Sequence, residues 1–495
     1  MKRFFRWLFS WRTARRALIS VAVFATLVGL FHAEENWRGK HAWNEYRREL
    51  EARGEQLDFK AFIPKPVPDE QNFAATPFVK SWFVRSNYQF SNFWQDVYGQ
   101  VSSNITTSLE KRDGGNRHFV DLVAWKMAFD VARSGTVSRS QVFESDKLDL
   151  ASRAMVAPVV LEGLKTNEAV FAELRAASQR PNSRYPVQYN LEDPWGILLP
   201  HLSNVRNICK RLQFKACAEL AVGQSTDALE DVKLTLYMAD SVKDEPFIIS
   251  YLVRIACVQI AVQPIWEGLA ERAWSDAELQ EVQTHLQQYD FVADLKPHLD
   301  AERAAGVLTP ELARGNGPGP SGWYSLEQRN YCRLFQLEFR GTYDVTQRRV
   351  SPSQIESNKN ELGREMPTGH PVNALRAIFH HQVFAAMLLP ALPRLPVKAA
   401  TAQTAVDQAT LACALERCRL ANGQFPETLE ALVPRFISQL PHDVITGEPY
   451  KYRRTNDGQF VLYSVGWNEK DDGGVPGKTL FDEKKGDWVW QYPAR

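Results

Sequence analysis

The stretch LERCRLANGQFPETLEALVPRF, residues 415–436, marks the end of a long helix and the start of a small mixed module. Apolar residues recur at spacings of three, four and seven over residues 406–420, as one face of a helix requires, and Asp407 lies off that face. Asn422-Gly423 then supplies a helix end, because both residue types tolerate left-handed backbone. The pattern predicts an amphipathic helix that stops at this pair.

Two short segments downstream have the chemistry of β-strands. Aromatic and β-branched residues are enriched over residues 450–454 and again over residues 460–465. The sequence Asn-Asp-Gly at 456–458 separates them, and Asp-Gly is a preferred pair in the tight turns of hairpins. The sequence therefore predicts a small α+β module, residues 401–495, that contains an antiparallel hairpin or sheet.

Four segments of this module, taken in order, resemble the globular half of the major pseudopilins of type II secretion. They are LERCRLANGQFPETLEALVPRF (415–436), LPHDVITGEPYKYR (440–453), FVLYSVGWNEKDDGG (460–474) and GDWVW (486–490). The resemblance implies a helix, a proline-containing turn, a small sheet and a carboxy-terminal calcium loop. It also implies a role as an accessory of a secretion or pilus-like system.

The acidic, glycine-rich tail is the candidate metal site of the chain. Calcium takes about six to eight oxygen ligands, and glycine turns let backbone carbonyls join carboxylates around the ion. Asp471 and Asp472 supply two carboxylates directly before a pair of glycines, and Asp487 adds a third. The pseudopilin resemblance places Asp472 and Asp487 nearest the family's ligands. Nearby lysines oppose cation binding, so a solvated polar turn is the alternative interpretation, and no other cofactor is predicted.

The amino-terminal residues combine a basic segment with an apolar run. No acidic residue precedes Glu34, whereas the cations in this segment are Lys2, Arg3, Arg6, Arg12, Arg15 and Arg16. Residues 17–31 are almost entirely apolar, and flanking residues extend the run to about 17–33, which is long enough for one membrane span. The sequence therefore predicts that the membrane itself is the partner of this segment, which crosses it once.

A cleaved signal peptide and an uncleaved signal anchor are both compatible with such a segment. A cleavable signal needs small residues before the cut, and Phe31-His32-Ala33 places a phenylalanine at one of these positions. Flanking cations keep their end of a span in the cytoplasm. We therefore expect a single-pass protein of the bacterial inner membrane with a cytoplasmic amino terminus and a periplasmic or otherwise extracytoplasmic bulk.

Composition limits the classes of partner and cofactor. A formal net charge of +1 gives no overall attraction to nucleic acid, and none is expected as a partner. The chain of 495 residues with 44% hydrophobic content can bury large cores. Its six cysteines show no zinc-type spacing and are expected to be small buried residues.

We expect a mainly α-helical chain in four parts. They are a basic tail and signal anchor (1–35), a juxtamembrane helix with an irregular Pro- and aromatic-rich segment (36–117), an α-helical body (118–400) and the α+β module (401–495). Within the second part, RGEQLDFKAFIPKPVPDEQNFAATPF (53–78) resembles a large group of bacterial cell-envelope proteins without an assigned activity. That resemblance implies a location in the cell envelope and gives little indication of an activity.

Local signals place several helices in the body. Residues 201–222 and 225–242 predict a helical hairpin around Gly223. Ser275 or the residue after it is expected to cap a further helix that runs to about Ala305.

Two other segments, 247–266 and 372–389, are apolar enough to raise the question of further membrane spans. Both contain charged or hydrogen-bonding side chains, such as Arg254 and Arg376, which are costly inside a bilayer. We therefore expect both to be core helices, which leaves one span.

No sequence pattern identifies a reaction. The chain contains no G-x-S-x-G, H-E-x-x-H or Walker A motif. His380 and His381 are adjacent, so on a helix their side chains point about 100° apart and cannot chelate a metal together.

Three functions remain as hypotheses. The first, which the sequence favours, is a membrane-anchored envelope protein with a noncatalytic interaction or scaffold role. The second is an accessory of a type II secretion or pilus-like system. The third is an envelope hydrolase whose catalytic residues assemble across the sequence without a motif.

Overall fold

A computed structural model gives the conformation of most of the chain. The residues that it describes are 11–86, 89–90, 116–134, 150–314, 319–366 and 371–493. The structure is mostly helical, with a long apolar amino-terminal helix and two small antiparallel sheets near the carboxyl end. The predicted fold class is confirmed at this level. The basic residues before position 11, and residues 87–88 and 91–115 of the irregular segment predicted within 36–117, lie outside the described residues.

The helices of the described residues are α1 Trp11–Ala52, α2 Pro77–Ser81, α3 Leu122–Arg133, α4 Leu150–Leu164, α5 Glu168–Ala177, α6 Pro200–Ala221, α7 Ser225–Asp240, α8 Ile248–Glu271, α9 Asp276–Leu286, α10 Phe291–Ala313, α11 Ser321–Phe339, α12 Pro352–Glu365, α13 Pro371–Phe379, α14 Val383–Leu388 and α15 Leu395–Asn422. The strands are β1 Arg85–Ser86, β2 Gln89–Phe90, β3 Tyr343–Asp344, β4 Arg349–Val350, β5 Lys451–Arg454, β6 Phe460–Ser464 and β7 Trp488–Trp490.

The predicted hairpin is present and forms part of a three-stranded antiparallel sheet in the order β5-β6-β7. Tyr452 pairs with Leu462 across the hairpin, and Tyr463 pairs with Val489 of the third strand. Gly458 has a φ of 73°, a left-handed conformation that glycine adopts without strain at the turn. Every residue of the central strand β6 is buried, so both faces of the sheet are covered there.

The chain divides into two compact units. The first comprises Met1–Ala61, Asp300–Arg340 and Ile355–Pro393, and the second comprises Phe62–Leu299, Gly341–Gln354 and Arg394–Arg495. The boundary predicted at residue 400 lies inside α15, which runs without a break through that position.

In the first unit, α11 packs along the part of α1 that follows the apolar run. The hydroxyl of Tyr46 on α1 donates to Oε1 of Gln336 on α11 at 2.8 Å. Nearer the start of α11, Nε1–H of Trp323 donates to the carboxylate of Glu35 at 2.7 Å. The two helices run in the same direction, because the later residues of one meet the later residues of the other.

In the second unit, α6, α7 and α8 pack on one another, and α8 also packs on α15. The predicted hairpin of α6 and α7 is confirmed, with Gly223 at a φ of 79° between them. Arg254 lies in the middle of the apolar helix α8 and is 2% exposed. Its guanidinium bonds to Asp240 at 3.0 Å and to Asp294 at 2.5 Å, which explains how this core helix accommodates a charge.

Two expected helices are divided in the structure. The segment 372–389, expected to be one core helix, forms α13 and α14 on either side of a turn, because His381 has a left-handed φ of 51°. Leu375, Ile378 and Phe379 of α13 are exposed, so this part of the segment is not a core helix.

The other divided helix is the one that begins after Ser275. Ser275 caps α9 with a complete capping box, as predicted, but the helix ends at Leu286 and not near Ala305. Asp290 begins a new helix, because its carboxylate accepts the backbone N–H of Ala293 at 2.9 Å. This second cap divides the expected helix into α9 and α10.

Asp407 does not lie on a polar face of α15, which corrects the sequence interpretation. Its side chain is buried and accepts from Gln403 at 2.9 Å, from Arg348 at 3.2 Å and from the hydroxyl of Tyr450 at 3.2 Å. Burial raises the pKa of Asp407 to about 6. The six cysteines are buried and free, as predicted.

Three helices of the described residues are long and apolar enough to cross a membrane by length and composition. They are Trp11–Ala52, Ile248–Glu271 and Val383–Asn422, and the most apolar windows of these segments are 0%, 56% and 44% buried. The amino-terminal helix thus exposes its whole apolar window, whereas the other two segments bury about half of theirs.

Candidate functional site

The acidic loop lies between β6 and β7 of the carboxy-terminal sheet. Asp487, just before β7, accepts the backbone N–H of Asp472 at 3.1 Å with one carboxylate oxygen and that of Gly474 at 2.6 Å with the other. Asp472 in turn accepts the backbone N–H of Gly486 at 3.2 Å. The fold therefore brings Asp472 and Asp487 together, because each carboxylate accepts a backbone N–H from the segment that contains the other residue.

Asp471 belongs to the same loop but has different partners. Its Oδ1 accepts the backbone N–H of Gly473 at 2.9 Å and the hydroxyl of Tyr463 at 3.1 Å. Burial, together with the negative charges of Asp471 and Asp472, raises the pKa of Asp487, although the N–H bonds to its carboxylate oppose this shift. The three carboxylates are thus close enough to interact electrostatically.

The described residues do not form a ready-made cluster of side-chain metal ligands. Within the described ranges, no group of three or more His, Cys, Asp or Glu side chains has the geometry to hold a metal ion. The oxygens of Asp487 each accept an N–H donor instead. Calcium binding by Asp471, Asp472 and Asp487 therefore stays a prediction.

One Ser, Glu and His group converges in the second unit. Nε2 of His201 lies 2.7 Å from Oε1 of Glu245, and the hydroxyl of Ser250 donates to the other oxygen of Glu245 at 2.5 Å. All three residues are buried. Because the carboxylate lies between the hydroxyl and the imidazole, Ser250 is bonded to an acid and not to the base that would activate a nucleophile. This order of groups does not match that of a hydrolase triad.

A cavity of about 600 Å³ opens between α4, α5, α6 and α7 of the second unit. Three apolar side chains of α4 form one part of its lining, and charged or polar side chains, including Glu162 of α4, form the rest. The lining residues are Pro158, Leu161, Glu162, Leu164, Lys165, Glu168, Arg175, Lys215, Glu219, Gln224, Asp227 and Glu230.

A buried ion-pair network forms the charged wall of this cavity. Nζ of Lys215 lies 3.0 Å from Oδ2 of Asp231 and also bonds to Glu219. Arg175 bonds to the other oxygen of Asp231, which is completely buried. The network joins α5, α6 and α7, since one charged group or more comes from each helix.

Glu219 is the member of the network that is not fully satisfied. The residue is 4% exposed, and its Oε2 has no hydrogen-bond partner among the residues that the structure describes. Burial and the neighbouring charge of Asp231 raise the pKa of Glu219 to about 8, against the opposing effect of Lys215. A cationic donor that reached Oε2 would stabilise the ionised carboxylate. The cavity therefore has the chemistry to accept a cationic group beside an apolar surface.

The sequence interpretation missed this network because its members look like ordinary helix-surface charges. Lys215 and Glu219 have the i, i+4 spacing of a common exposed pair. Their apolar sequence neighbours could have indicated that these residues are buried. Glu219 lies between Ala218 and Leu220, and Asp231 is followed by Val232.

Comparison with known proteins adds no assignment. No protein-family model, curated protein or solved structure matches this chain significantly.

Proposed function

We propose that the chain is a single-pass, membrane-anchored protein of the bacterial cell envelope with a noncatalytic binding role. The observation that carries the proposal is α1, a 42-residue helix whose apolar window is 0% buried. Exposed apolar surface on this scale is unfavourable in water and favourable in lipid. Residues 17–33 form the proposed span.

Aromatic residues at both ends of the apolar run support this position in a bilayer. Trp11 is 84% exposed and Trp37 is 67% exposed. At roughly 1.5 Å per helical residue they are about 39 Å apart along the axis, close to the separation of the two interfaces of a bilayer. Tryptophan is enriched at these interfaces.

The other two apolar segments fit better as core helices. In α8, Arg254 is paired with two carboxylates of neighbouring helices. In α15, hydrogen-bonding side chains such as Gln403 and Gln408 are buried and bonded within the second unit. Lipid would not satisfy these groups, so we assign neither segment to the membrane.

A reporter fused after Arg495 tests the topology. With basic residues holding the amino terminus in the cytoplasm, the reporter should be active only outside the cytoplasm. The protein should also remain in the membrane fraction after alkaline extraction. Cytoplasmic reporter activity, or a mature amino terminus near Glu34, would contradict an uncleaved anchor with an extracytoplasmic bulk.

For the binding role, the cavity beside Glu219 favours a small ligand with a cationic group and a short apolar body. The cation would lie beside Glu219, and the apolar body would contact Pro158, Leu161 and Leu164. The acidic side chains of the lining outnumber the basic ones, which adds long-range attraction for a cation.

Thermal unfolding of the detergent-solubilised full chain tests this binding. Butylammonium chloride should raise the melting temperature above that in sodium chloride of equal ionic strength, and sodium butyrate should not. Glu219→Gln should remove the effect. Glu281→Gln, which changes an exposed carboxylate outside the cavity, should retain it. Equal melting temperatures in the two chloride salts would exclude the cavity as a cation site.

A role as an accessory of a type II secretion or pilus-like system is a second candidate. It is supported by the order of elements after residue 395, in which a long helix precedes a small antiparallel sheet with an acidic loop before its last strand. Copurification of the solubilised protein with a pseudopilin or another secretion component would support this role. An envelope hydrolase is the third candidate, and no group of described residues favours it.

A further inference from the structure

Helix α13 exposes an apolar stripe. Leu375, Ile378 and Phe379 are 58%, 54% and 78% exposed, and Val372, also on the stripe, is 62% exposed. The spacings of three, four and seven place these residues on one side of the helix, and Arg376 lies at the edge of that side, about 100° around the helix from Leu375. A nine-residue helix is too short to cross a bilayer, which takes about 17 residues or more.

The end of α13 lies beside the end of the proposed span. The ring of Trp323 is 6.4 Å from that of Phe31, near the end of the apolar run on α1, and 5.6 Å from the ring of His381. The indole nitrogen of Trp323 is also fixed by Glu35. His381 follows α13 by two residues, so the carboxyl end of α13 lies at the depth where α1 leaves the apolar run.

Helix α11 holds this segment in place. The side-chain amide of Asn330 donates to the backbone carbonyls of His380 and His381 at 2.8 and 2.9 Å. The carboxylate of Glu327 accepts the backbone N–H groups of Val383 and Phe384 at 3.1 and 3.2 Å, at the start of α14. The turn between α13 and α14 is therefore attached to the helix that packs on α1.

We propose that α13 is an interfacial helix whose apolar face enters the outer leaflet of the bilayer around α1. The inference rests on the membrane anchor proposed above. Lipid is the occupant because the stripe lies beside the span and because Arg376, at the edge of the stripe, can extend its guanidinium to headgroups and water, as in helices that lie in the membrane plane. Met387 of α14 is a further exposed apolar side chain in this part of the chain, at 70% exposure.

Spin labels on the full chain in lipid nanodiscs test the proposal. Because the six native cysteines are buried, a label on an introduced cysteine reports one position. Three variants are needed: Phe379→Cys on the apolar stripe, Arg376→Cys at the polar edge of the same helix as the control, and Leu27→Cys within the span. Collision rates with oxygen, which enters lipid, and with a water-soluble nickel chelate are measured for each.

The expected result is an oxygen-to-nickel ratio that is several-fold higher at positions 379 and 27 than at position 376. A lipid-like ratio at 27 with a water-like ratio at 379 would overturn the interfacial helix and leave the anchor intact. A water-like ratio at 27 would overturn the anchor itself. If position 379 were protected from both reagents, the stripe would be covered by a protein surface, such as a second copy of the chain, and the proposal of a lipid contact would be wrong.

Discussion

Gly39 of α1 and Gly322 at the start of α11 lie so close that a Cβ on Gly39 would be 2.0 Å from the carbonyl oxygen of Gly322. Only hydrogen fits between the two backbones at this point. The contact sets the distance between the helices directly beyond the proposed span.

Gly39→Ala should therefore destabilise the protein. Alanine favours the helix by about 0.5–1 kcal/mol, but a side chain against backbone costs about 1–3 kcal/mol or more, so the clash dominates. The control is Gly363→Ala in α12, where no described atom lies within 4 Å of the added Cβ. Denaturant unfolding in detergent should show a loss for the first variant and a small gain for the second. A gain for both would contradict the close contact.

Removal of one partner from the buried network should be costly. Asp231→Ala removes the buried counter-charge that Lys215 and Arg175 share and leaves the largely buried Lys215 without it, and the loss of unfolding free energy should be about 3–5 kcal/mol. Asp130→Ala breaks an exposed pair with Lys126, one helical turn away on the same helix, and should cost no more than about 1 kcal/mol. Similar losses for the two variants would show that the network is solvated.

The stability of the protein should depend on pH through Glu219. Its pKa is raised from the ordinary 4.5 to about 8, so the unfolded chain ionises this carboxyl at lower pH than the folded protein does. The stabilisation from the protonated group is complete below about pH 4.5 and is lost as the pH rises to about 8. Glu219→Gln should therefore gain stability relative to the wild type over this interval. If the unfolding free energies of the wild type and of Glu219→Gln changed in parallel with pH across this interval, the raised pKa of Glu219 would be refuted.

Calcium should stabilise the carboxy-terminal sheet if the acidic loop binds it. Sites of extracellular type bind at about 0.1–1 mM, and a tenfold excess over the dissociation constant adds about 1.4 kcal/mol. The full chain should melt at a higher temperature in about 10 mM calcium than in chelator. Asp472→Asn and Asp487→Asn should each remove the difference. Asp482→Asn, which changes a carboxylate outside the predicted set, should retain it, and equal melting temperatures for the wild type would leave the loop as a polar turn.

The sequence identified features whose causes are local. Asn422-Gly423 ends α15, with Gly423 at a φ of 80°, and Asn-Asp-Gly at 456–458 forms the hairpin turn. In both cases a few neighbouring residues determine the backbone conformation, so no knowledge of distant contacts is needed.

Features that depend on distant partners were not predictable in the same way. Asp407 has the spacing of a surface residue, yet Arg348 and Tyr450 cover it from segments far away in sequence. Glu219 and Asp231 are likewise hidden by the packing of α6 and α7. Periodicity assigns a charged residue to the solvent side of a helix, and only tertiary packing shows that a partner replaces the water.

The continuity of α1 has a mechanical consequence. A single helix of 42 residues, about 63 Å long, contains both the proposed span and the segment on which α11 packs, and no proline interrupts it. A bilayer thicker or thinner than the apolar run changes the tilt of such a helix. Because α1 has no hinge between the proposed span and the segment that packs on α11, a change in its tilt would also rotate the first unit. On the proposed anchor, the thickness of the membrane would therefore influence the orientation of this unit relative to the membrane surface.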